Sequence, residues 1–196
     1  MIMKTIFKNK SHELVSCIEN LKINNSDYKH VASELFKYDF NDYNAAFTIN
    51  QVNVPEGSYV RLPIYADKCS AILMLWGINN KTAIHDHLNY DGLIKVLKGN
   101  LTEISYIEDK NFIKYEGEGV APEGAIFPED LGGIHSVVNN SSEISVSLHI
   151  YHTPQTSLKG VRIFDIENKK VAVLNDKATS CSWNLPKDNY AKITQL

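Results

Sequence analysis

The chain has few cysteines, no long apolar run and no excess of positive charge. Cys17, Cys69 and Cys181 are odd in number, far apart and free of any Cys-x-x-Cys pair, which excludes a disulfide framework or a thiolate zinc site as the basis of the fold. Unpaired thiols suit a reducing compartment, so a cytoplasmic protein is expected. No stretch of about 18 apolar residues occurs. The opening MIMKTIFKNK interrupts its hydrophobic residues with lysines, so neither a membrane span nor a leader is expected. With 20 Lys and Arg against 23 Asp and Glu, the net charge is -3 and no basic stripe offers itself to nucleic acid or an anionic membrane. A small-molecule partner is left, and the chain reads as a monomer.

Internal repeats and low-complexity segments are also lacking, and 196 residues suit one domain. Its parts are a helical region over about 1–50, a β-rich body over about 55–175 and a C-terminal segment, 176–196. Leu14, Cys17, Ile18 and Leu21 fall at helical spacing in residues 11–22, with Ser11 as candidate N-cap and Glu13 in the first turn. A second helix is expected over 26–37, where Ser26 and Asp27 precede Val31, Leu35 and Phe36. From Tyr59 onward, short runs rich in Val, Ile, Leu, Tyr and Thr alternate with turn signals such as Gly99-Asn100. The expected strands are 59–65, 70–76, 82–87, 92–98, 101–107, 112–116, 124–127, 135–139, 144–151, 160–166 and 170–175. So many short strands predict an all-β fold, an antiparallel sandwich or small barrel capped by the helices. Small barrels take ligands in their mouths.

The strongest chemical signal is His85-Asp86-His87. Two histidines at i and i+2 of a strand share one face about 6–7 Å apart, close enough to serve one metal ion, while Asp86 faces the other way. His135, from a distant strand, would complete a three-nitrogen set whose open positions suit a catalytic metal better than a structural one. Such neutral ligands leave a dication's charge uncompensated and favour an anionic donor from the substrate. Imidazole suits zinc, copper, nickel and iron alike.

A second constellation is Ser147-Leu148-His149-Ile150-Tyr151. Ser147, His149 and Tyr151 alternate along a strand and project to one face, where a relay of hydroxyl, imidazole and phenol would direct the tyrosine's proton. Arg61, in the strand-like run Tyr59-Val60-Arg61-Leu62, belongs to the residue type that grips a carboxylate with two hydrogen bonds.

The segment from Gly77 through His85, His87, Gly92 and Gly99 resembles the first cupin motif. Pro128 through Gly132-Gly133, His135 and Asn139 resembles the second. The common cupin pattern has a carboxylate ligand where Gly92 stands; here that ligand is missing. Asp91, one step along the strand, faces the opposite way and does not replace it.

Leu75-Trp76-Gly77, Ile84 through His87, Leu97 through Leu101 and the Ser-Leu-His-Ile-Tyr run together resemble the type I cysteine dioxygenases, thiol dioxygenases of the cupin superfamily, over about residues 55–175. The resemblance implies a cupin β-barrel binding Fe(II) and adding both atoms of O2 to the sulfur of L-cysteine. On this basis His85, His87 and His135 would be iron ligands, and Arg61 of the Tyr59-Val60-Arg61 motif would bind the substrate carboxylate. Ser147, His149 and Tyr151 would form the relay, with the Tyr151 hydroxyl near the substrate; Tyr59 and Trp76 would flank the site. Two departures stand out. Animal members carry a cysteine, crosslinked to the relay tyrosine, at the position of Gly92, so Tyr151 should remain unmodified here. The family's Tyr-Ser-Pro-Pro is replaced by Tyr151-His152-Thr153-Pro154, and His152 is expected to face outward.

Two alternatives stay open at this level. A 3-mercaptopropionate dioxygenase commonly has glutamine in place of the strand arginine. A non-oxidative metal-binding cupin, an isomerase or sensor, would have no use for Arg61 and the Tyr151 relay. The three cysteines have ordinary readings: Cys17 packs on a helix face, and Cys69 and Cys181 lie near turns.

Overall fold

A computed structural model describes residues 9–110 and 112–196; the reading of the first eight residues as no leader lies outside these. Helix α1 spans Glu13–Ile23, α2 Tyr28–Leu35 and α3 Phe40–Phe47. The cap of α1 is His12, whose Nδ1 accepts from the Leu14 amide, and not Ser11. Asp27 caps α2, and α3 opens on a capping box between Asp39 and Asp42. The third helix was not expected.

Among the described residues twelve strands follow: β1 Tyr59–Ala66, β2 Ser70–Trp76, β3 Ile84–Asp86, β4 Gly92–Lys98, β5 Leu101–Asp109, β6 Phe112–Ala121, β7 Ile126–Glu129, β8 Ile134–Val138, β9 Ser145–Tyr151, β10 Arg162–Asp165, β11 Lys170–Leu174 and β12 Tyr190–Gln195. They form a five-stranded sheet, β1-β2-β9-β4-β7, and a seven-stranded sheet, β12-β11-β10-β3-β8-β5-β6. All pairings are antiparallel. The all-β expectation holds. Eleven of these strands overlap the expected runs, and β12 is additional. Pro63, which cannot donate to a ladder, sits in β1 at a sheet edge.

The five-stranded sheet is covered on both faces. Its outer face packs Leu73, Leu75, Leu148 and Ile150 against Leu14, Ile18, Val31 and Leu35 of the helices. Lys95 of β4 ties the layers by donating to the carbonyls of Phe36 and Tyr38 at the end of α2. The inner face carries Tyr59, Ile72, Met74, Trp76, Val96 and Tyr151, which meet Val137 of the other sheet. The outer face of the seven-stranded sheet holds a smaller cluster of Ile84, Ile113, Ile134 and Phe164, and much of β6 is exposed.

The segment after Asp176 crosses the barrel near β1 before β12 joins the sheet edge. The Cys181 amide donates to the Tyr59 hydroxyl at 2.6 Å, and the Ala83 amide donates to the Cys181 carbonyl at 2.9 Å. Leu158, Val161, Ile163 and Leu174 pack with it.

Candidate metal centre

The short strand β3 lies between β8 and β10, and its register sets His85 directly opposite His135. His87 follows at the strand's end, where its amide donates to the Gly133 carbonyl. The three imidazoles are buried, with one donor atom from each lying within 4.8 Å of the others. Ring centroids are 5.3 Å apart for His85 and His87, 4.6 Å for His85 and His135, and 5.0 Å for His87 and His135. Outer nitrogens are occupied: His85 Nδ1 lies 2.9 Å from the Ala83 carbonyl and His135 Nδ1 lies 3.2 Å from Glu103 Oε1. Donation outward to Ala83 leaves His85 with an inward Nε2 lone pair, the usual state of a metal-ligating histidine, while His135 lies between the carboxylates of Glu103 and Glu129 and takes that state on losing its second proton. Asp86 faces away, fully buried, and accepts from the amide and Nε of Arg162 on β10. This clamp holds the strand from behind.

A carboxylate also enters the centre, and sequence reasoning missed it. Glu129, at the end of β7, places Oε1 2.6 Å from His87 Nε2 and 3.1 Å from His135 Nε2. Strand register explains how. β4 pairs with both β9 and β7, so Tyr151, Gly92 and Glu129 form one cross-strand row on the inner face. Gly92 supplies no side chain, and a Cβ there would meet Tyr151 Cδ1 at 2.8 Å. Its neighbours in the row close over it. Burial raises the Glu129 pKa, but the adjacent imidazoles of His87, His135 and His149 outweigh that and hold it well below the usual carboxylate range. Burial likewise opposes charge on His135, while Glu103 and Glu129 lift it to about 10. Burial, with the neighbouring histidines, keeps His85 well below its ordinary value. Buried imidazoles facing a buried carboxylate make a site that attracts a cation.

The relay residues meet end to end. Ser147 Oγ lies 2.9 Å from His149 Nε2, and His149 Nδ1 lies 2.9 Å from the Tyr151 hydroxyl. Trp76 Nε1 donates to Ser147 Oγ at 2.8 Å. Because indole nitrogen only donates, the buried serine proton is satisfied by donation to His149 Nε2, and His149 Nδ1–H then donates to Tyr151. The phenol proton is thereby turned toward the cavity. Burial, joined by the charge of Glu129, holds the Tyr151 pKa well above the ordinary phenol value, so Tyr151 is a neutral donor.

Arg61, Tyr59 and Trp76 line the same cavity as the imidazoles and Tyr151. Arg61 is half-buried, and among the described residues it has no carboxylate partner in an ion pair. Met74, Tyr90, Leu158 and Cys181 complete the wall. Tyr90 sets its edge against both His87 and Tyr151, each at 5.0 Å between centroids. Cys181 is therefore not a bystander near a turn. Its distance along the chain hid this, just as register hid Glu129. His152 does lie outside, exposed and stacked on Tyr28.

A small antiparallel β-fold that gathers three buried imidazoles able to hold a metal ion, with a carboxylate beside them, defines an all-β protein with a candidate metal centre. Its residues 2–165 match the family described as cysteine dioxygenase type I, and the chain belongs to that family. Similar curated proteins include cysteine dioxygenase type 1 of Homo sapiens, 34% identical over 92 residues that make up 44% of this chain and 46% of the human protein. That of Danio rerio is 32% identical over 104 residues, half of each chain. The chain thus spans about half the length of the curated relatives it matches. Among solved structures, the protein TT1209 from Thermus thermophilus aligns with TM-score 0.43 and 16% identity over 52% of this chain and 90% of that one. A cupin-superfamily sugar phosphate isomerase from Silicibacter pomeroyi aligns with TM-score 0.43 and 14% identity over 66% and 68%. Among the described residues, no helix is long and apolar enough to cross a membrane.

Proposed function

We propose that the protein is a non-haem Fe(II) thiol dioxygenase that converts L-cysteine and O2 to cysteine sulfinic acid in the cytoplasm. One observation carries this reading: a single cavity holds three convergent imidazoles, the phenol that ends a buried relay and a guanidinium without a carboxylate partner among the described residues. His85, His87 and His135 would hold the metal. Their donor set fits iron without selecting it, so iron rests on the family. When bound, iron supplies the redox chemistry that lets O2 react with a thiolate sulfur.

The chain's own residues position and neutralise. Arg61 is placed to grip the substrate carboxylate through two parallel hydrogen bonds, which fixes the orientation of the rest of a small amino acid. Tyr151 offers its proton to a substrate oxygen, and His149 and Ser147 keep that proton pointed into the cavity. Leu158, Met74 and the segment around Cys181 close the wall and limit water. The reaction balances without a reductant, because the sulfur supplies every electron that O2 takes up and the thiol proton is released.

The test is oxygen uptake by the Fe(II)-loaded protein with L-cysteine, 3-mercaptopropionate and cysteamine, the product being identified by mass. The expected result is uptake matched to sulfinate, greatest with L-cysteine, and a fall in kcat/KM of about 100-fold in Arg61→Ala, the scale of a lost charge-assisted pair. Preference for 3-mercaptopropionate would reassign the substrate. Absence of uptake with every thiol would return the protein to the non-oxidative cupins.

A further inference from the structure

A second cavity lies between the two sheets, and no step of the proposed reaction uses it. Cross-strand rows build it. On the five-stranded sheet His149, Ile94 and Phe127 stand side by side across β9, β4 and β7. On the other sheet Leu101 faces Ala121 across β5 and β6, and Glu103 faces Val137 across β5 and β8. With Trp76 these residues enclose space for roughly one water-sized molecule.

The wall is mainly apolar, and its polar side chains are turned to other partners. Trp76 Nε1 donates to Ser147, His149 spends both ring nitrogens on Ser147 and Tyr151, and Glu103 holds Oε1 3.2 Å from His135 Nδ1. A buried water needs about two to four hydrogen-bonding partners, whereas a void lined by aliphatic and aromatic groups stays dry and takes up apolar gas atoms. Position adds to this. Ala121, Phe127 and Glu103 are half-buried and the rest of the lining is buried, so the cavity runs inward from the surface. Its inner members, Trp76, Val137 and His149, also line the cavity of the imidazoles. A single layer of side chains therefore separates the two. Trp76 and His149 are pinned by hydrogen bonds, while Val137, two residues beyond His135 on the same face of β8, is held by packing alone.

We propose that this cavity is a binding site for O2 and its passage to the metal centre, entered beside Phe127 and Ala121. This rests on the reading of the protein as an O2-consuming thiol dioxygenase. A polar amino acid seated against Arg61 and Tyr151 fills the first cavity, and an apolar route behind Val137 lets the second reactant arrive without displacing it.

The test has two arms. A crystal of the protein pressurised with xenon, an apolar probe for such sites, is expected to show xenon among Ile94, Leu101 and Phe127. Oxygen uptake by the Fe(II)-loaded protein is then followed against O2 concentration for the wild type and Ala121→Phe, which fills the outer end of the cavity. The expected result is a fall in kcat/KM for O2 of about 5-fold or more, with kcat at saturating O2 and the KM for L-cysteine unchanged. The passage is overturned if xenon does not enter the cavity, if kcat/KM for O2 is unaltered, or if kcat falls equally, as a general disturbance of the fold would produce. If Ala121→Phe does not fold, Ala121→Leu takes its place. Absence of O2 uptake by the wild type with every thiol removes the dioxygenase reading and the passage with it, whereas a xenon-free cavity in a protein that consumes O2 removes the passage alone.

Discussion

The two sheets face each other across one cavity but are built to different rules. The five-stranded sheet is covered on both sides, by helices outside and by the cavity inside, so β2 and β9 are buried at every position. The seven-stranded sheet has one well-covered face, and β6 leaves most of its residues partly or fully exposed. The difference changes what alternation means. In a one-sided sheet, polar residues face water and carry little information. In β9 water is available to neither face, so Ser147, His149 and Tyr151 must be satisfied inside, and they satisfy each other. Division of labour follows the same line. The seven-stranded sheet brings the three imidazoles, and the five-stranded sheet brings the relay, Arg61 and Glu129.

Unfolding measurements can break this comparison. Leu148→Ala, in a residue of β9 with no exposed surface, should cost about 2–5 kcal/mol in urea denaturation, whereas Val120→Ala, 68% exposed on β6, should change stability by less than about 0.5 kcal/mol. Similar losses at both sites would show that the sheets are not unequally covered. A smaller effect is expected at the row that joins the sheet to the site. Gly92→Ala should cost about 1–3 kcal/mol, because its Cβ meets Tyr151 Cδ1 and the ring must shift. A crystal structure of that variant with Tyr151 unmoved would count against the tight row.

Thiol labelling gives the smallest effect. Burial pushes Cys181 up to about 12 and Cys69 up to about 11, and it raises Cys17 as well, though that thiol is only partly buried. A thiol stays protonated and unreactive below its pKa, so at about pH 8 alkylation should modify Cys17 first and leave the other two nearly untouched in the folded protein. Reactivity of Cys181 should emerge only as pH rises toward its raised pKa or as the segment over the cavity opens. Mass spectrometry of a labelling time course reads this directly.

Much of this was legible because the relevant spacing was short. The i and i+2 histidines and the Ser147, His149 and Tyr151 alternation depend only on strand period, which sequence displays. Strand β12 escaped because its exposed edge carries no apolar alternation. Helix α3 escaped although its Asp39 and Asp42 capping pair and Tyr43, Ala46 and Phe47 at helical spacing were there to be read, the same signals that marked the equally short α2. Glu129 and Cys181 belong to a different class. One is brought in by register across β4 and the other by a segment returning over β1, and neither follows from local pattern.

The bare backbone at Gly92 limits how this site can be altered. A cysteine able to crosslink with the relay tyrosine needs a Cβ where the ring of Tyr151 now rests. Any side chain placed at this position therefore requires the aromatic ring to give way along with the substitution, so an isolated exchange there lands in a crowded pocket.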